Sequence, residues 1–393
     1  MEGVALVPAG GRVLGRSMKA RADVPGFDRA AMDGFAVRAR DTFGATSTNA
    51  LPLHLAPGRG AAGGQRGRIG PGECRPIATG APLPRGANAV AMLERCRKLP
   101  GGVVEVETAL TPEENVARRG EDVRAGQTLL VAGMRLSPQD IALAAALGVP
   151  RLEVARRPRV AVLSTGDELQ EPGAVRGAAS VFDANRPGAL AAVLEAGGEP
   201  VDLGIARDAR GAIEARLRAG LRRADMVVVS GGTSVGERDF VPEAMAALGK
   251  PGILVHGVAI RPGYPVALGA VGRKPFVLLP GSPVAAVLAV QEFVVPALRR
   301  MLGARPEKLP RGAIVRARVT RRIAGAPGLA TFARVALVDG PKGLEAVPLR
   351  TSGSGILSSL VRGSGLVVVE AEKEGVEEGE EVEVRLLRPL EGP

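Results

Sequence analysis

The sequence has few of the residues that bind soft metals. Its 393 residues include two cysteines, Cys74 and Cys96, and two histidines, His54 and His256. A structural zinc site needs about four clustered Cys or His ligands, and these four residues do not have such a spacing. We therefore expect them to be ordinary core or surface positions, with His256 in a strand. Any bound metal should be a hard cation with oxygen ligands.

Aromatic residues are also scarce. The chain has no tryptophan, one tyrosine and 2% aromatics in total, so it offers few platforms on which the bases of a single-stranded nucleic acid could stack. The net charge is +11, but 52 basic residues are scattered among 41 acidic ones without a long basic run. We therefore expect no nucleic-acid partner. The positive charge is better suited to attracting an anionic small molecule.

Long apolar runs are missing as well. No stretch approaches the roughly 20 residues that a membrane helix needs, and the first residues lack a basic segment followed by a long apolar one. We expect no membrane association and a cytoplasmic location. A hydrophobic content of 46% is enough for globular burial, and 393 residues predict several domains.

The middle of the chain alternates between short apolar runs and helical patterns. We predict strands near 159–164, 200–205, 225–229, 252–258 and 276–279, and helices near 185–196, 208–222, 239–248 and 284–301. Strands and helices of these lengths, in alternation, predict a doubly wound and mostly parallel sheet with right-handed crossovers. The fold class predicted for this region is α/β.

The flanking regions have the texture of β structure. Residues 51–110 mix Gly and Pro with short alternating stretches, and strand patterns recur after residue 310 at 314–319, 332–338, 366–369 and 382–384. Between them, Ser137 and Pro138 predict a helix start and Gly148 its end. We predict a linking domain (1–25 and 111–157), a small β-rich domain (26–110), an α/β domain (158–303) and a C-terminal β barrel (310–393).

Three loops carry the clearest functional signal. They span residues 164–169, 230–239 and 279–283, and each directly follows an apolar run. In a doubly wound sheet, ligands bind beyond the carboxyl ends of the strands. Glycines allow the backbone to approach a phosphate, and Glu168 and Asp239 could hold Mg²⁺, although a loop carboxylate such as Asp167 or Asp239 could instead cap a helix. The loops predict a ligand with oxyanion groups.

Other motif-based functions are poorly supported. Residues 232–236 match the G-x-S-x-G elbow of α/β hydrolases, but a triad needs a downstream histidine, and His256 lies in an alternating strand pattern. Neither G-x-x-x-x-G-K-[ST] nor G-x-G-x-x-G is present. A serine hydrolase, a P-loop ATPase and a dinucleotide-binding fold are therefore not favoured.

Seven motifs together resemble one known family. They are A-M-D-G-F-A (31–36), T-G-A-P-L-P (79–84), the 115–122 segment ending R-G-E-D, T-G-D-E-L (165–169), the 230–239 loop, R-P-G-Y-P (261–265) and L-P-G-S-P (279–283). Their order and content are similar to those of the molybdopterin molybdenumtransferase family, which includes bacterial MoeA and the gephyrin E domain. The resemblance covers nearly the whole chain.

The resemblance implies a specific reaction. Members of the family are homodimers of four-domain subunits that insert molybdate into adenylylated molybdopterin with Mg²⁺ and release AMP and molybdenum cofactor. Their active cleft is built across the dimer, and molybdopterin adenylyltransferase and molybdoenzymes are possible partners. By motif, the catalytic residues would be Asp33, Thr79, Asp122, Glu168 and Asp239, the last two also as metal ligands. The substrate-binding residues would be Thr165, Gly166, Gly231, Gly232, Ser234, Arg261, Tyr264, Gly281, Ser282 and Ser354.

The sequence departs from the family pattern at a few positions. Arg261 and Tyr264 stand where relatives usually carry lysines, and Ala31, Asn88 and Ser282 replace the more usual Ser, Asp and Asn. Arginine keeps the charge of lysine, whereas Tyr264 removes it. Three hypotheses stay open: the transferase, a related protein that binds molybdopterin or a nucleotide without metal insertion, and a scaffold that binds proteins through its C-terminal β domain.

Overall fold

A computed structural model of the chain describes residues 1–57, 67–175, 177–232, 240–304, 313–341, 343–350 and 353–388. These residues form two compact units. The first comprises residues 3–10 and 16–152, and the second comprises residues 1–2, 11–15 and 153–393. Within the described ranges, no helix has the length and apolar character needed to cross a membrane.

Short strands dominate the first 154 residues. The strands are β1 (Glu2–Ala5), β2 (Met18–Lys19), β3 (Arg29–Ala30), β4 (Gly34–Val37), β5 (Leu51–Leu55), β6 (Glu73–Ile77), β7 (Ala89–Met92), β8 (Cys96–Leu99), β9 (Val103–Val106), β10 (Val116–Ala117), β11 (Thr128–Leu130) and β12 (Arg151–Val154). The helices are α1 (Leu6–Ala9) and α2 (Pro138–Ala146). Single 3₁₀ turns occupy Ala39–Thr42 and Leu93–Arg95.

The first unit is built around a six-stranded sheet in the order β7-β4-β6-β5-β9-β8. Its inner face buries an apolar cluster that includes Phe35, Leu53 and Val104. The predicted start of α2 is confirmed, because the hydroxyl of Ser137 accepts from the backbone N–H of Asp140 and the Asp140 carboxylate accepts from that of Ser137. Gly148 follows this helix with a φ of 71°, as expected of a C′ residue.

The rest of the chain contains most of the helices. The strands are β13 (Arg159–Thr165), β14 (Leu169–Gln170), β15 (Val181–Phe182), β16 (Glu199–Ala206), β17 (Met226–Ser230), β18 (Pro251–His256), β19 (Ile260–Arg261), β20 (Ala267–Val271), β21 (Lys274–Leu279), β22 (Ile314–Val319), β23 (Ile323–Ala324), β24 (Ala330–Gly340), β25 (Gly343–Arg350), β26 (Gly365–Val369), β27 (Gly375–Val376) and β28 (Glu381–Leu386). The helices are α3 (Asn185–Glu195), α4 (Arg210–Arg223), α5 (Phe240–Leu248), α6 (Pro283–Ala289), α7 (Val295–Met301) and α8 (Ser358–Arg362).

The central sheet of the second unit has the order β16-β13-β17-β21-β20-β18. The first four strands are parallel, and β20 and β18 are antiparallel to their neighbours. The predicted doubly wound, mostly parallel sheet is confirmed. The prediction missed β20, a short strand that turns back from β18 and leads directly into β21, and it missed the two-residue strands β14 and β15.

Helices cover both faces of this sheet. Along β13, Val160 and Val162 pack with α3, α6 and α7, whereas Ala161 and Leu163 pack with α4 and α5. This alternation follows from the two-residue period of a strand. The helix predicted for 284–301 is present, but a π-helical turn at Val290–Val294 joins α6 to α7.

The C-terminal region confirms the predicted small barrel. Strands β24, β25, β22, β28 and β26 pair in that order, and β26 pairs again with β24, which closes five strands on themselves. The interior is apolar and includes Val335, Ala346 and Val384. Closure leaves no free strand edge among these five.

Candidate functional site

Three parallel strands of the central sheet end at the same level. Ser164 of β13 is paired with Ser230 of β17, and Ser230 is paired with Leu279 of β21. The loops that follow these strands therefore leave the sheet side by side, at its carboxyl edge. This is the arrangement that the sequence predicted, and it is where doubly wound sheets bind ligands.

Glycine is required where the loops approach each other. Gly231 has a φ of 95°, and a Cβ at this position would lie 2.4 Å from the carbonyl oxygen of Thr165. Gly166 has a φ of 152°, and a Cβ there would lie 2.7 Å from a carboxylate oxygen of Glu168. A side chain at either position would displace its neighbour, so both loops depend on glycine for their path.

A cavity of 570 Å³ opens at this edge of the sheet. This volume is within the range of small-molecule sites. Six of the residues predicted from the sequence line the cavity: Thr165, Gly166, Glu168, Gly231, Gly232 and Gly281. The structure therefore brings residues from all three predicted loops around one space.

Thr165 lines this cavity, and its hydroxyl group is buried in an unusual state. Thr165 is 4% exposed, and among the described residues its Oγ1 has no hydrogen-bond partner. A buried hydroxyl without a partner costs free energy, about 1–3 kcal/mol by mutational measures.

Three carboxyl residues, Glu168, Asp183 and Asp208, line the cavity, and two of them, Glu168 and Asp208, lie in loops beyond strand ends. Glu168 lies in the loop after β13, and Asp208 follows β16. Loss of hydration raises the pKa of Asp208 above its ordinary value of 3.8, and the negative charges of Asp167 and Glu168 add to this rise. The backbone N–H of Asp167, which donates to Asp208, acts in the opposite direction. The wall therefore concentrates negative charge.

Sequence reasoning missed the segment that ties the three strand ends together. Asp183, which is buried, accepts from the hydroxyl of Ser164 at 3.0 Å and from the Nε of Arg186 at 2.9 Å. Asn185, the first residue of α3, donates its side-chain N–H groups to the Oγ of Ser230 and to the carbonyl of Gly281, both at 2.8 Å. These side chains hold the loops in place around the cavity.

The guanidinium of Arg186 completes this support. It also bonds Asp202 of β16 at 2.6 Å and contacts Glu171. Burial opposes its charge, but the hydrogen bonds and charges of its carboxylate partners prevail, and the pKa of Arg186 is raised. The sequence contains only a weak signal for this segment, the polar residues Asp183, Asn185 and Arg186 near the start of a predicted helix, and that signal does not distinguish them from ordinary helix-start residues.

Two residues predicted for this site, Ser234 and Asp239, lie outside the described residues. Of the two ligands predicted for Mg²⁺, the structure therefore describes Glu168 and not Asp239. Within the described ranges, no group of three or more His, Cys, Asp or Glu side chains is arranged to hold a metal ion. The described structure places Asp183 and Asp208 beside the same cavity as Glu168, and Asp183 is paired with Arg186.

The R-P-G-Y-P segment forms a turn between β19 and β20. Arg261 is exposed, and its strand runs parallel to β24. Tyr264 is 58% exposed, and its ring covers Gly257, whose added Cβ would lie 3.2 Å from the ring. Neither Arg261 nor Tyr264 is among the described residues that line the cavity.

The remaining two predicted residues of this unit meet at the start of α6. Ser282 is the N-cap residue, and the carbonyl oxygen of Ser354 accepts from the backbone N–H of Val284 at 2.9 Å. A loop of the C-terminal barrel thus satisfies one of the free N–H groups at this helix start. Gly281 and Pro283 beside it line the cavity.

In the first unit, Asp33 and Thr79 are directly bonded. One carboxylate oxygen of Asp33 accepts from the backbone N–H of Thr79 at 2.7 Å and from its hydroxyl at 2.8 Å. These two hydrogen bonds lower the pKa of Asp33 below its ordinary value of 3.8, and the bond from the backbone N–H has the larger effect. Two motifs 46 residues apart in sequence therefore present one ionised carboxylate.

The R-G-E-D motif of the first unit packs on the segment that precedes β3. The backbone N–H of Asp122 donates to the carbonyl of Val24 at 3.1 Å. Arg119 bonds the carboxylate of Asp23 at 2.6 Å, and its backbone N–H bonds Asp28 at 2.8 Å. Asp122 itself is exposed.

Comparison with known proteins identifies the family. Family models match residues 1–148 (MoeA N-terminal region, domain I and II), 161–300 (probable molybdopterin binding domain) and 316–387 (MoeA C-terminal region, domain IV). Together these three regions span most of the chain and follow the order of the motifs described above.

Individual relatives agree with this match. A protein of Mycobacterium tuberculosis named molybdopterin molybdenumtransferase 2 is 38% identical over 81% of this chain and 79% of its own. A molybdopterin molybdenumtransferase of Haemophilus influenzae is 32% identical over 98% and 94%. The crystal structure of a molybdopterin biosynthesis MoeA protein from Pyrococcus horikosii superposes with a TM-score of 0.83, at 33% identity over 99% and 95% of the two chains. The chain therefore belongs to the MoeA family of molybdopterin molybdenumtransferases.

Proposed function

We propose that this chain is a molybdopterin molybdenumtransferase of molybdenum cofactor biosynthesis. It would insert molybdate into adenylylated molybdopterin, with Mg²⁺, and release AMP. In this reaction, water would cleave the phosphoanhydride bond between the pterin phosphate and AMP so that each product keeps a phosphate group, and the metal oxyanion would be transferred to the pterin. An enzyme for this reaction has to hold several oxyanions in one pocket.

The observation that carries the proposal is the cavity beyond β13, β17 and β21. Its wall combines glycines that leave space for phosphate groups, the buried hydroxyl of Thr165 and the carboxylates of Glu168 and Asp208. The Thr165 hydroxyl can donate to a phosphate or molybdate oxygen, which would give it the partner that it lacks among the described residues. Asn185 keeps the loops at a fixed separation during this step.

The charges of the cavity suit Mg²⁺. Its described lining carries the carboxyl groups of Glu168, Asp183 and Asp208, and no Lys or Arg is among these lining residues. Asp183 is paired with Arg186, which leaves Glu168 and Asp208 to face an anionic ligand. Such a ligand needs a cation between it and these carboxylates. Mg²⁺ usually takes one or two protein carboxylates and completes its shell with water and phosphate oxygens.

Glu168 would hold this ion, together with Asp208 or with the predicted ligand Asp239. When bound, Mg²⁺ supplies charge neutralisation at the phosphate oxygens. Asp33, Thr79 and Asp122 of the first unit, and a homodimeric assembly, belong to the same proposal on the strength of the family resemblance. So do molybdopterin adenylyltransferase and molybdoenzymes as partners.

The decisive experiment measures AMP release from adenylylated molybdopterin. We expect AMP to appear only when both molybdate and Mg²⁺ are present, together with a product that activates a molybdenum-free apoenzyme. Glu168→Gln keeps the shape of the side chain and removes its charge, and it should lower the rate about 100-fold or more. Glu378→Gln, in an exposed acidic turn, is the matched control.

Two results would contradict the proposal. Tight binding of adenylylated molybdopterin without any AMP release would indicate a binding protein rather than a transferase. A Glu168→Gln rate within about threefold of the wild-type rate would remove Glu168 from the mechanism, because a factor of ten corresponds to about 1.4 kcal/mol.

A further inference from the structure

The cavity contains an exposed aromatic side chain in a chain that has few aromatics. The sequence has eight phenylalanines, one tyrosine and no tryptophan. Phe182 is 43% exposed and lines the cavity, and Phe240, at the start of α5, lines it as well. Exposure of an apolar ring to water is unfavourable, and a ligand that binds in the cavity and covers the ring would remove this cost.

The backbone around Phe182 is held firmly. The residue lies in β15, which pairs with β14. The N–H of Val181 donates to the carbonyl of Glu168, and the N–H of Asp183 donates to that of Gln170, both at 2.9 Å. Asp183 is further anchored by Ser164 and Arg186. The ring of Phe182 is therefore presented by a fixed backbone beside Glu168.

We propose that Phe182 is a specificity-determining residue that stacks on the bicyclic heteroaromatic ring of the ligand. The inference rests on the proposed function, whose substrate carries two such rings, a pterin and an adenine. A flat apolar face is complementary to the face of either ring. Thr165, together with a Mg²⁺ ion held by the carboxylates, would bind the phosphate and the metal oxyanion, and Phe182 would bind the ring. Such a division separates recognition of the ring from recognition of the charge.

The absence of tryptophan provides a direct test. Phe182→Trp places a single indole in the protein, at the cavity, and Phe43→Trp places one at a 59%-exposed position of the first unit as a control. Each variant is titrated with AMP, with ribose 5-phosphate, which lacks the ring, and with a pterin phosphate. We expect AMP, the pterin phosphate or both to quench the indole fluorescence of Phe182→Trp and ribose 5-phosphate to leave it unchanged. The fluorescence of Phe43→Trp should respond to none of the three ligands.

The affinity of a ring-deficient variant is the second measurement. Phe182→Leu keeps an apolar side chain and removes the ring, and it should weaken binding of the ring-bearing ligand about tenfold, since stacking of a base on an aromatic side chain has an effect of this order. Its affinity for ribose 5-phosphate should not change, and Phe43→Leu should bind all ligands as the wild type does. Quenching by AMP alone assigns the contact to adenine, and quenching by the pterin phosphate alone assigns it to the pterin.

The failure of this inference is distinguishable from the failure of the proposed function. Equal affinities of the wild type and Phe182→Leu for both ring-bearing ligands, or equal quenching by ribose 5-phosphate, would overturn the stacking role even if AMP is released normally. Ring-dependent binding without AMP release would leave the stacking role intact and contradict the transferase.

Discussion

The side-chain amide of Asn185 lies 2.8 Å from the hydroxyl oxygen of Ser230 and donates a hydrogen bond to it. The same nitrogen donates to the carbonyl of Gly281 at 2.8 Å. One residue at the start of α3 therefore joins the end of β17 to the loop after β21. Both loops line the cavity, so the separation between its walls depends on this amide.

Replacing the amide nitrogen by oxygen should open this junction. In Asn185→Asp a carboxylate oxygen would face the carbonyl oxygen of Gly281, and both hydrogen bonds from the amide would be lost. We expect the free energy of unfolding to fall by about 1–3 kcal/mol, and the affinity for AMP to fall with it. Urea unfolding and an AMP titration measure the two effects. Asn49→Asp, at an exposed turn, is the control, and equal losses in both variants would argue against a special role for Asn185.

Gly231→Ala tests the close approach of two loops. A Cβ at Gly231 would lie 2.4 Å from the carbonyl oxygen of Thr165, and the φ of 95° disfavours any side chain. We expect a loss of about 1–3 kcal/mol in the free energy of unfolding. Gly211→Ala is the matched control, because Gly211 lies in α4 with open space around it, and alanine there should stabilise the protein by about 0.5–1 kcal/mol. If the free energy of unfolding changed in the same direction in both variants, the close approach of the two loops would not be the cause of the effect at Gly231.

The side chain of Asp208 should destabilise the folded protein at neutral pH, where it is charged, and should not do so in acid, where it is protonated. Its pKa is raised in the folded state, so its contribution to stability is present below 3.8 and is lost as the pH rises through the raised pKa. Asp208→Asn should therefore unfold at a higher temperature than the wild type near pH 7, and the difference should vanish near pH 3. Thermal unfolding at several pH values measures this.

Asp225→Asn is the control of opposite sign. Burial raises the pKa of Asp225, but bonds from Arg156 and from the backbone N–H of Arg159 prevail and lower it. This variant should be less stable than the wild type near pH 7, and the difference should shrink as the pH falls below 3.8. If both variants lose stability at neutral pH, the raised pKa assigned to Asp208 from its loss of hydration and its acidic neighbours is wrong.

The bond between Asp33 and Thr79 sets the ionisation of Asp33. Thr79→Val removes the hydroxyl donor and keeps the backbone donor, so the pKa of Asp33 should rise towards 3.8 without reaching it. A lowered pKa of Asp33 stabilises the folded state above pH 3.8, and this stabilisation is lost as the pH falls. Thr79→Val should therefore be less stable than the wild type at neutral pH, and the two stabilities should converge in acid. Carbon-13 NMR of the Asp33 carboxyl measures the pKa, and Thr79→Ser should restore the wild-type value.

Much of the fold could be predicted because its local signals agree with each other. Apolar runs of strand length, helical patterns of ten or more residues and glycines at the turns all predicted the same central sheet, and the Ser137 cap and the period-two C-terminal strands did the same for their regions. The strand β20 escaped prediction because its sequence, A-L-G-A-V, is short and small, and its pairing with β18 and β21 is what makes it a strand.

The candidate site was predictable only in part. Glycines and carboxylates at the ends of apolar runs predicted the three loops and Glu168 by local pattern. The family resemblance then selected Thr165, Gly166, Gly231 and Gly281 within these loops, and all five residues line one cavity. Asp208 follows the end of β16 and carried the same signal, but no motif distinguished it from other surface aspartates. The functions of Asp183 and Arg186 could not be predicted, since a buried ion pair leaves no local pattern in the sequence.

The sequence by itself determined most strands and helices of the central sheet and the three glycine-containing loops, and it predicted the kind of ligand that they favour, because these properties depend on residue type and short-range spacing. Only the tertiary structure decided which side chains share the cavity. Asn185, Ser230 and Gly281 are up to 96 residues apart, and Phe182 lies in β15 whereas Asp208 follows β16. Their meeting follows from the parallel register of β13, β17 and β21, which brings the carboxyl ends of distant strands to one edge.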